Sequence, residues 1–118
     1  MQTVIILWEP NEKWHALSAD EQRRYVLGLD QAVNAARAQG VMTLGWSEVD
    51  RSLAKAPPQG YVGVFALSSA ADIHAFHELV QQAGWYEYFD SVNLSIAPAG
   101  GTNPRPSEEY ARLLGMTL

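Results

Sequence analysis

Few side chains in this sequence could do chemistry, and their types narrow the options. The chain has no cysteine, which removes disulfides, thiolate catalysis and thiolate metal sites together. What remains are the carboxylates Glu9 and Glu48, the histidines His15, His74 and His77, and four tryptophans, Trp8, Trp14, Trp46 and Trp85. Tyr61, Tyr86 and Tyr88 add further aromatic surface. A carboxylate or imidazole against an aromatic wall can anchor a planar organic molecule or take a proton from it. Glu9, Glu48 and His15 are the candidate bases, with Trp8, Trp14, Trp46, Tyr61, Trp85 and Tyr88 as the candidate pocket. The competing reading is that the same rings simply pack helix ends and a subunit seam, because tryptophan is a large apolar filler enriched at interfaces.

Other signals are weaker. His74 and His77 stand three residues apart on a helical pattern, but no third ligand lies near them, so no metal is expected. His77 borders the apolar stripe and His74 points to water. The glycines of PAGGTNP carry no phosphate-loop lysine, and the serines of SSAAD have no base at a known spacing.

The elements that must position these residues centre on Tyr61 to Phe89. Its first part reads as a strand apolar on both faces, as expected in the middle of a covered sheet. Ser69 is placed to cap a helix, with Asp72 in the first turn and Ile73, Phe76, Val80 and Ala83 forming a stripe. Thr3 to Glu9 is a second central strand, ended by Pro10. Pro10 to Leu17 reads as a connection. Ser18 to Glu21 is a capping box, after which Tyr25, Val26, Leu29, Ala32, Val33 and Ala36 make a broad stripe up to Gly40. Arg23, Asp30, Gln31 and Asn34 are expected to point outward, with Leu27 among them.

Val41 to Val49 reads as a strand with Met42, Leu44, Trp46 and Glu48 sharing one face. The proline-rich stretch from Asp50 to Gly60 reads as a loop. Ser91 to Ala97 alternates as an edge strand, Val92, Leu94 and Ile96 inward and Asn93 and Ser95 outward. Residues 98–106 read as a linker. Ser107 caps a last short helix from Glu108 to Leu114, with Gly115 as its stop.

This order, β-α-β-β-α-β, closes with right-handed crossovers as an antiparallel sheet of order 4-1-3-2. Helices near Ser18–Gln39 and Ser69–Gly84 then cover one face: a ferredoxin-like α+β sandwich over residues 1–97, followed by a linker and short helix over 98–118. One end of that sheet gathers all four tryptophans with Glu9, Glu48 and His15. Glu9 is opposite in parity to Trp8 while Glu48 shares parity with Trp46, so the two carboxylates need not share a face. The second sheet face has no helix to cover it, and the expected cover is the same face of another copy.

Composition sets the outer limits. The chain of 118 residues fits one domain. A net charge of -5 argues against nucleic acid or an anionic membrane as partner. The apolar run Val4 to Trp8 is too short for a signal peptide or membrane span, and with no cysteine a cytoplasmic location is expected.

With the pattern FHELV…GWYEYFDSVNLS set on this order of elements, the chain resembles the dimeric α/β-barrel superfamily. That group includes antibiotic-biosynthesis-type monooxygenases, muconolactone-isomerase-like, EthD-like and YCII-like proteins. The resemblance implies a homodimer with sheets packed face to face, and a small organic ligand beneath the helices without metal, flavin or haem. It also implies His77 as a proton donor or acceptor lining that cavity. Two functions follow. One is a cofactor-independent monooxygenase or isomerase acting on a small aromatic compound. The other is a non-catalytic dimeric binding or stress-associated module.

Overall fold

The computed structural model describes residues 1–97 and 105–118. Four strands form one antiparallel sheet of order β2-β3-β1-β4, with β1 at Gln2–Pro10, β2 at Met42–Glu48, β3 at Tyr61–Leu67 and β4 at Phe89–Ile96. This is the expected order read from the other edge. The expected linker lies largely outside the described residues.

The helix boundaries follow their caps. The helix α2 (Ala19–Ala38) starts on a complete capping box: Ser18 Oγ accepts from the Glu21 amide at 3.1 Å, and Glu21 Oε1 accepts from the Ser18 amide at 2.9 Å. It follows α1 (Glu12–His15), a single turn that occupies the expected connection and is capped by Asn11. The next helix, α3 (Ala70–Gln82), starts at Ser69, but no side-chain cap bond forms there. Instead Ser68 and Ser69 both donate to Asp72 Oδ2, at 3.0 and 2.9 Å. Gly84 then turns the chain with φ 75°, a left-handed conformation that suits glycine, into the short α4 (Trp85–Tyr88). The last helix, α5 (Pro106–Leu114), begins two residues earlier than expected, with Arg105 at its N-cap and Pro106 inside its first turn. Ser107 is therefore within the helix.

Val4, Ile6, Phe65, Leu67 and Phe76 form the buried core between the sheet and α3, with Ala36 and Val41 joining from α2 and its exit. Cross-strand register fixes which residues share the helix-covered face. Val4 pairs with Phe65, Ile6 with Gly63 and Trp8 with Tyr61. In β4 the same face carries Phe89, Ser91, Asn93 and Ser95, because Trp8 pairs with Ser91 and Ile6 with Asn93.

Two expectations are thereby corrected. Val92, Leu94 and Ile96 do not point inward; they lie on the open face with Ile5 and Leu7 and are 40%, 44% and 45% exposed. The polar residues of β4 are the ones beneath the helices, where Ser91 and Asn93 find partners in Trp85 and Tyr86. On β2 the register shifts between Thr43 and Gly45, so Met42 pairs with Ala66 on the open face while Trp46 pairs with Gly63 on the covered one. One extra residue at a bulge reverses side-chain parity, so Met42 and Trp46 do not share a face.

Among the described residues no helix is long and apolar enough to cross a membrane.

Candidate functional site

A cleft of about 560 Å³ lies between the sheet and the two long helices. The stripe that the sequence places on α2 forms its outer wall: Val26, Leu29, Ala32, Val33 and Ala36 all line it. Only Ala36 of that helix is buried, so α2 stands off the sheet rather than packing down on it. The opposite wall is aromatic. Trp8, Trp46, Tyr61 and Phe65 come from the sheet, Trp14 from α1, Trp85 from α4 and Phe89 from β4.

These rings brace one another. Trp8 stacks on Tyr61 with centroids 4.5 Å apart and meets Trp85 edge-on at 5.1 Å. Trp85 in turn stacks on Phe89 at 4.1 Å. Trp14 packs against Phe89 at 4.9 Å and Tyr25 against Tyr88 at 4.9 Å. Such contacts stabilise by about 0.5–1.5 kcal/mol each beyond the area they bury.

Polar groups at the cleft are few. The Trp85 indole N–H donates to Ser91 Oγ at 3.0 Å. The Trp8 indole Nε1 is buried with no hydrogen-bond partner, one of two such side-chain atoms among the described residues. Asp30 is the charged residue in the lining, exposed at the edge of the cleft, where the helical pattern was expected to turn it outward. Its spacing does carry the signal: with Val26 and Val33 it falls at i, i+4 and i+7 on the same side of α2. Thr43 and Phe89 also line the cleft, and the sequence pattern singled out neither.

Each sequence-derived candidate has a definite place. Trp8, Trp14, Trp46, Tyr61 and Trp85 line the cleft together, whereas Tyr88 sits behind it against Trp14 and Tyr25. Glu9 is on the open sheet face beside Asp90, and its Oε2 accepts from the Gly60 amide at 2.7 Å. Glu48 is exposed, on the same face as Tyr61 but outside the cleft wall. His15 is exposed in a separate shallow polar depression with Tyr86, Glu87 and Asp90.

His77 is half-buried on α3, its Nδ1 3.4 Å from the Tyr86 hydroxyl, which also accepts from Asn93 Nδ2 at 3.0 Å. Burial, with a smaller contribution from His74, holds the His77 imidazole below its usual range. Among the described residues no three histidine, aspartate or glutamate side chains come together to hold a metal ion.

Fold and cleft together define a ferredoxin-like α+β protein with a ligand-sized, aromatic-walled cavity beneath its helices. By sequence the chain belongs to DUF6616, a family of unknown function whose pattern matches residues 1–105. No curated protein matches it. Solved structures of similar fold include two variants of the chlorite dismutase from Candidatus Nitrospira defluvii, each with TM-score 0.58 and 14% identity over 82% of this chain. This chain spans only 40% of the length of those proteins. HapK from Hahella chejuensis aligns over 89% of this chain and 99% of its own, with 18% identity and TM-score 0.49. At these identities the chlorite dismutase likeness shows the fold alone.

Proposed function

We propose that this protein binds a small, largely apolar organic molecule in the cleft between its sheet and helices, and does so as a homodimer. The observation that carries the reading is the cleft: its volume of about 560 Å³ falls within the ~300–1,000 Å³ typical of small-molecule sites. Its walls are aromatic and aliphatic, with a single charged residue at the edge. Burial of an apolar ligand there is favourable by roughly 25 cal/mol per Å² removed from water. If the rings served only as filler, the space between them and α2 would be closed.

Binding without turnover is the reading favoured over catalysis. A general base must come within hydrogen-bond reach of the proton it takes. Glu9, Glu48, His15 and His77 all lie outside the residues that line the cleft. The one carboxylate in the lining, Asp30, is exposed at the cleft's edge, so none of the four sequence-derived acid or base candidates is positioned for the monooxygenase or isomerase activities that the superfamily resemblance implies.

The dimer rests on the open sheet face. Ile5, Leu7, Val62 and Val64 occupy its centre, flanked by Val92, Leu94 and Ile96 and by Met42, which is 61% exposed. Apolar side chains from four strands thus share one uncovered face, with Glu9 and Asp90 at its end, and an identical face is the natural complement of such a surface. The α5 residues Tyr110, Leu113 and Leu114, 64–68% exposed, provide further apolar surface for the second subunit.

The test is a ligand-induced rise in melting temperature with a panel of small aromatic compounds. Binding to the native state raises stability by RT ln(1 + [L]/Kd). Val33→Trp, which places an indole in the cleft from α2, should abolish the rise while leaving the fold intact. A rise that survives this filling would place binding elsewhere and reject the cleft.

A further inference from the structure

The sheet wall of the cleft contains one pair of residues whose geometry implies a particular shape of ligand. Trp46 on β2 pairs with Gly63 on β3. A Cβ placed on Gly63 would lie 2.9 Å from both Cε3 and Cζ3 of the indole and 3.2 Å from Cε2 of Phe65. Those separations are well inside van der Waals contact, so the six-membered ring of Trp46 rests directly on the Gly63 backbone. Phe65 meets the same indole edge-on, at 4.9 Å and 81°.

A glycine inside a strand weakens it and has no side chain to pack, so its use here needs a reason. The close approach of the ring is that reason. Trp46 is nevertheless 53% exposed, although it lines the cleft. One side of the indole is thus fixed on backbone while much of its surface stays open. The helix side of the cleft offers aliphatic Val33 and Ala36.

We infer that Trp46, laid on Gly63, is a stacking platform that makes the cleft selective for planar, fused-ring aromatic ligands over puckered molecules of the same size. This rests on the cleft being a ligand site and adds the class of ligand it takes. A flat ring can lie against the indole over its whole area at contact distance. A saturated bicycle touches it only through a few hydrogens and forfeits the rest of the dispersion and quadrupole attraction. Gly63 is then a specificity-determining residue: any side chain there lifts the indole and shallows the cleft.

The experiment compares 2-naphthol with decahydro-2-naphthol, which share a carbon skeleton and a hydroxyl but differ in flatness. Affinities are measured by calorimetry on the full chain. The wild type should favour 2-naphthol by about tenfold. Trp46→Leu, at a half-exposed site, should keep the far-ultraviolet circular dichroism spectrum and bring the ratio near unity. Gly63→Ala should lower the ratio by about threefold or more by displacing the indole. If Gly63→Ala fails to fold, Trp46→Leu alone decides.

Equal affinities in the wild type, or a ratio that Trp46→Leu leaves unchanged, would overturn the platform while leaving the cleft as a site for other apolar molecules. Binding of neither compound, in the presence of a melting-temperature rise with other ligands, would also overturn it. No response to any ligand would remove both readings.

Discussion

The Tyr25 hydroxyl donates to the main-chain carbonyl of Ala83 at 2.9 Å, tying the first half of α2 to the end of α3. Because α2 stands off the sheet, this bond, the ring contacts of Tyr25 with Trp14 and Tyr88, and the bond from Gln22 Nε2 to the Trp14 carbonyl help to hold it over the aromatic end. Tyr25→Phe keeps the ring and removes the bond, and should cost about 1 kcal/mol in urea denaturation.

The same tyrosine has an alkaline signature. Burial, then the neighbouring Tyr88 and Glu87, push its phenol up to about 12. The folded state therefore holds this proton where the unfolded chain, with an ordinary value of about 10, has begun to release it. The stabilisation is complete below about pH 10 and is lost as pH rises through the folded value. A phenolate absorbance titration should show one late-titrating group, absent in Tyr25→Phe.

Trp85 and Trp46 should respond to truncation to different degrees. Trp85 is 8% exposed and stacked on Phe89, so Trp85→Ala opens a core cavity and should cost about 3–5 kcal/mol. Trp46 is half in solvent already, and Trp46→Ala should cost under about 2 kcal/mol. Urea midpoints of the two variants would separate them. Similar large losses would mean that Trp46 is held as a core residue.

His77 should make stability depend on pH in the acid range. Burial and the nearby His74 lower its folded value, so below about pH 6.5 the unfolded chain binds a proton that the folded chain resists. Its contribution is complete above that pH and is lost as pH falls toward the folded value. His77→Gln should flatten this slope, measured as the urea midpoint at several pH values. An unchanged slope would assign it to other groups.

The open face should respond to a single charge. Leu94 lies on it opposite Ile5 and is 44% exposed. Leu94→Lys should give a folded monomer in light scattering, because the buried ammonium of a face-to-face dimer would have no partner. A wild-type chain that is already monomeric at micromolar concentration would reject the dimer itself.

Much of the architecture is written locally. The reciprocal bonds of Ser18 and Glu21 start α2 wherever that helix is placed, and Gly84 permits its turn without help from distant residues. Apolar runs such as Val4 to Trp8 announce central strands, and the order of elements under right-handed connection leaves few sheets to choose from. The gathering of Trp8, Trp14, Trp46 and Trp85 at one end follows from that order alone.

Absolute facing does not. Alternation in β4 shows that Val92, Leu94 and Ile96 share a side, but only pairing with Ile5 and Leu7 assigns that side to the open face. The register shift between Thr43 and Gly45 reverses parity along β2 and so separates Met42 from Trp46; a glycine inside a strand signals a bulge in general, but only the pairing shows that one forms here. The position of Asp30 at the edge of the cleft depends on how far α2 stands from the sheet. That distance is a balance of packing among side chains remote in sequence. Residue types and periods decide which groups travel together, and tertiary packing alone decides whether the space between them is filled or left as a cleft.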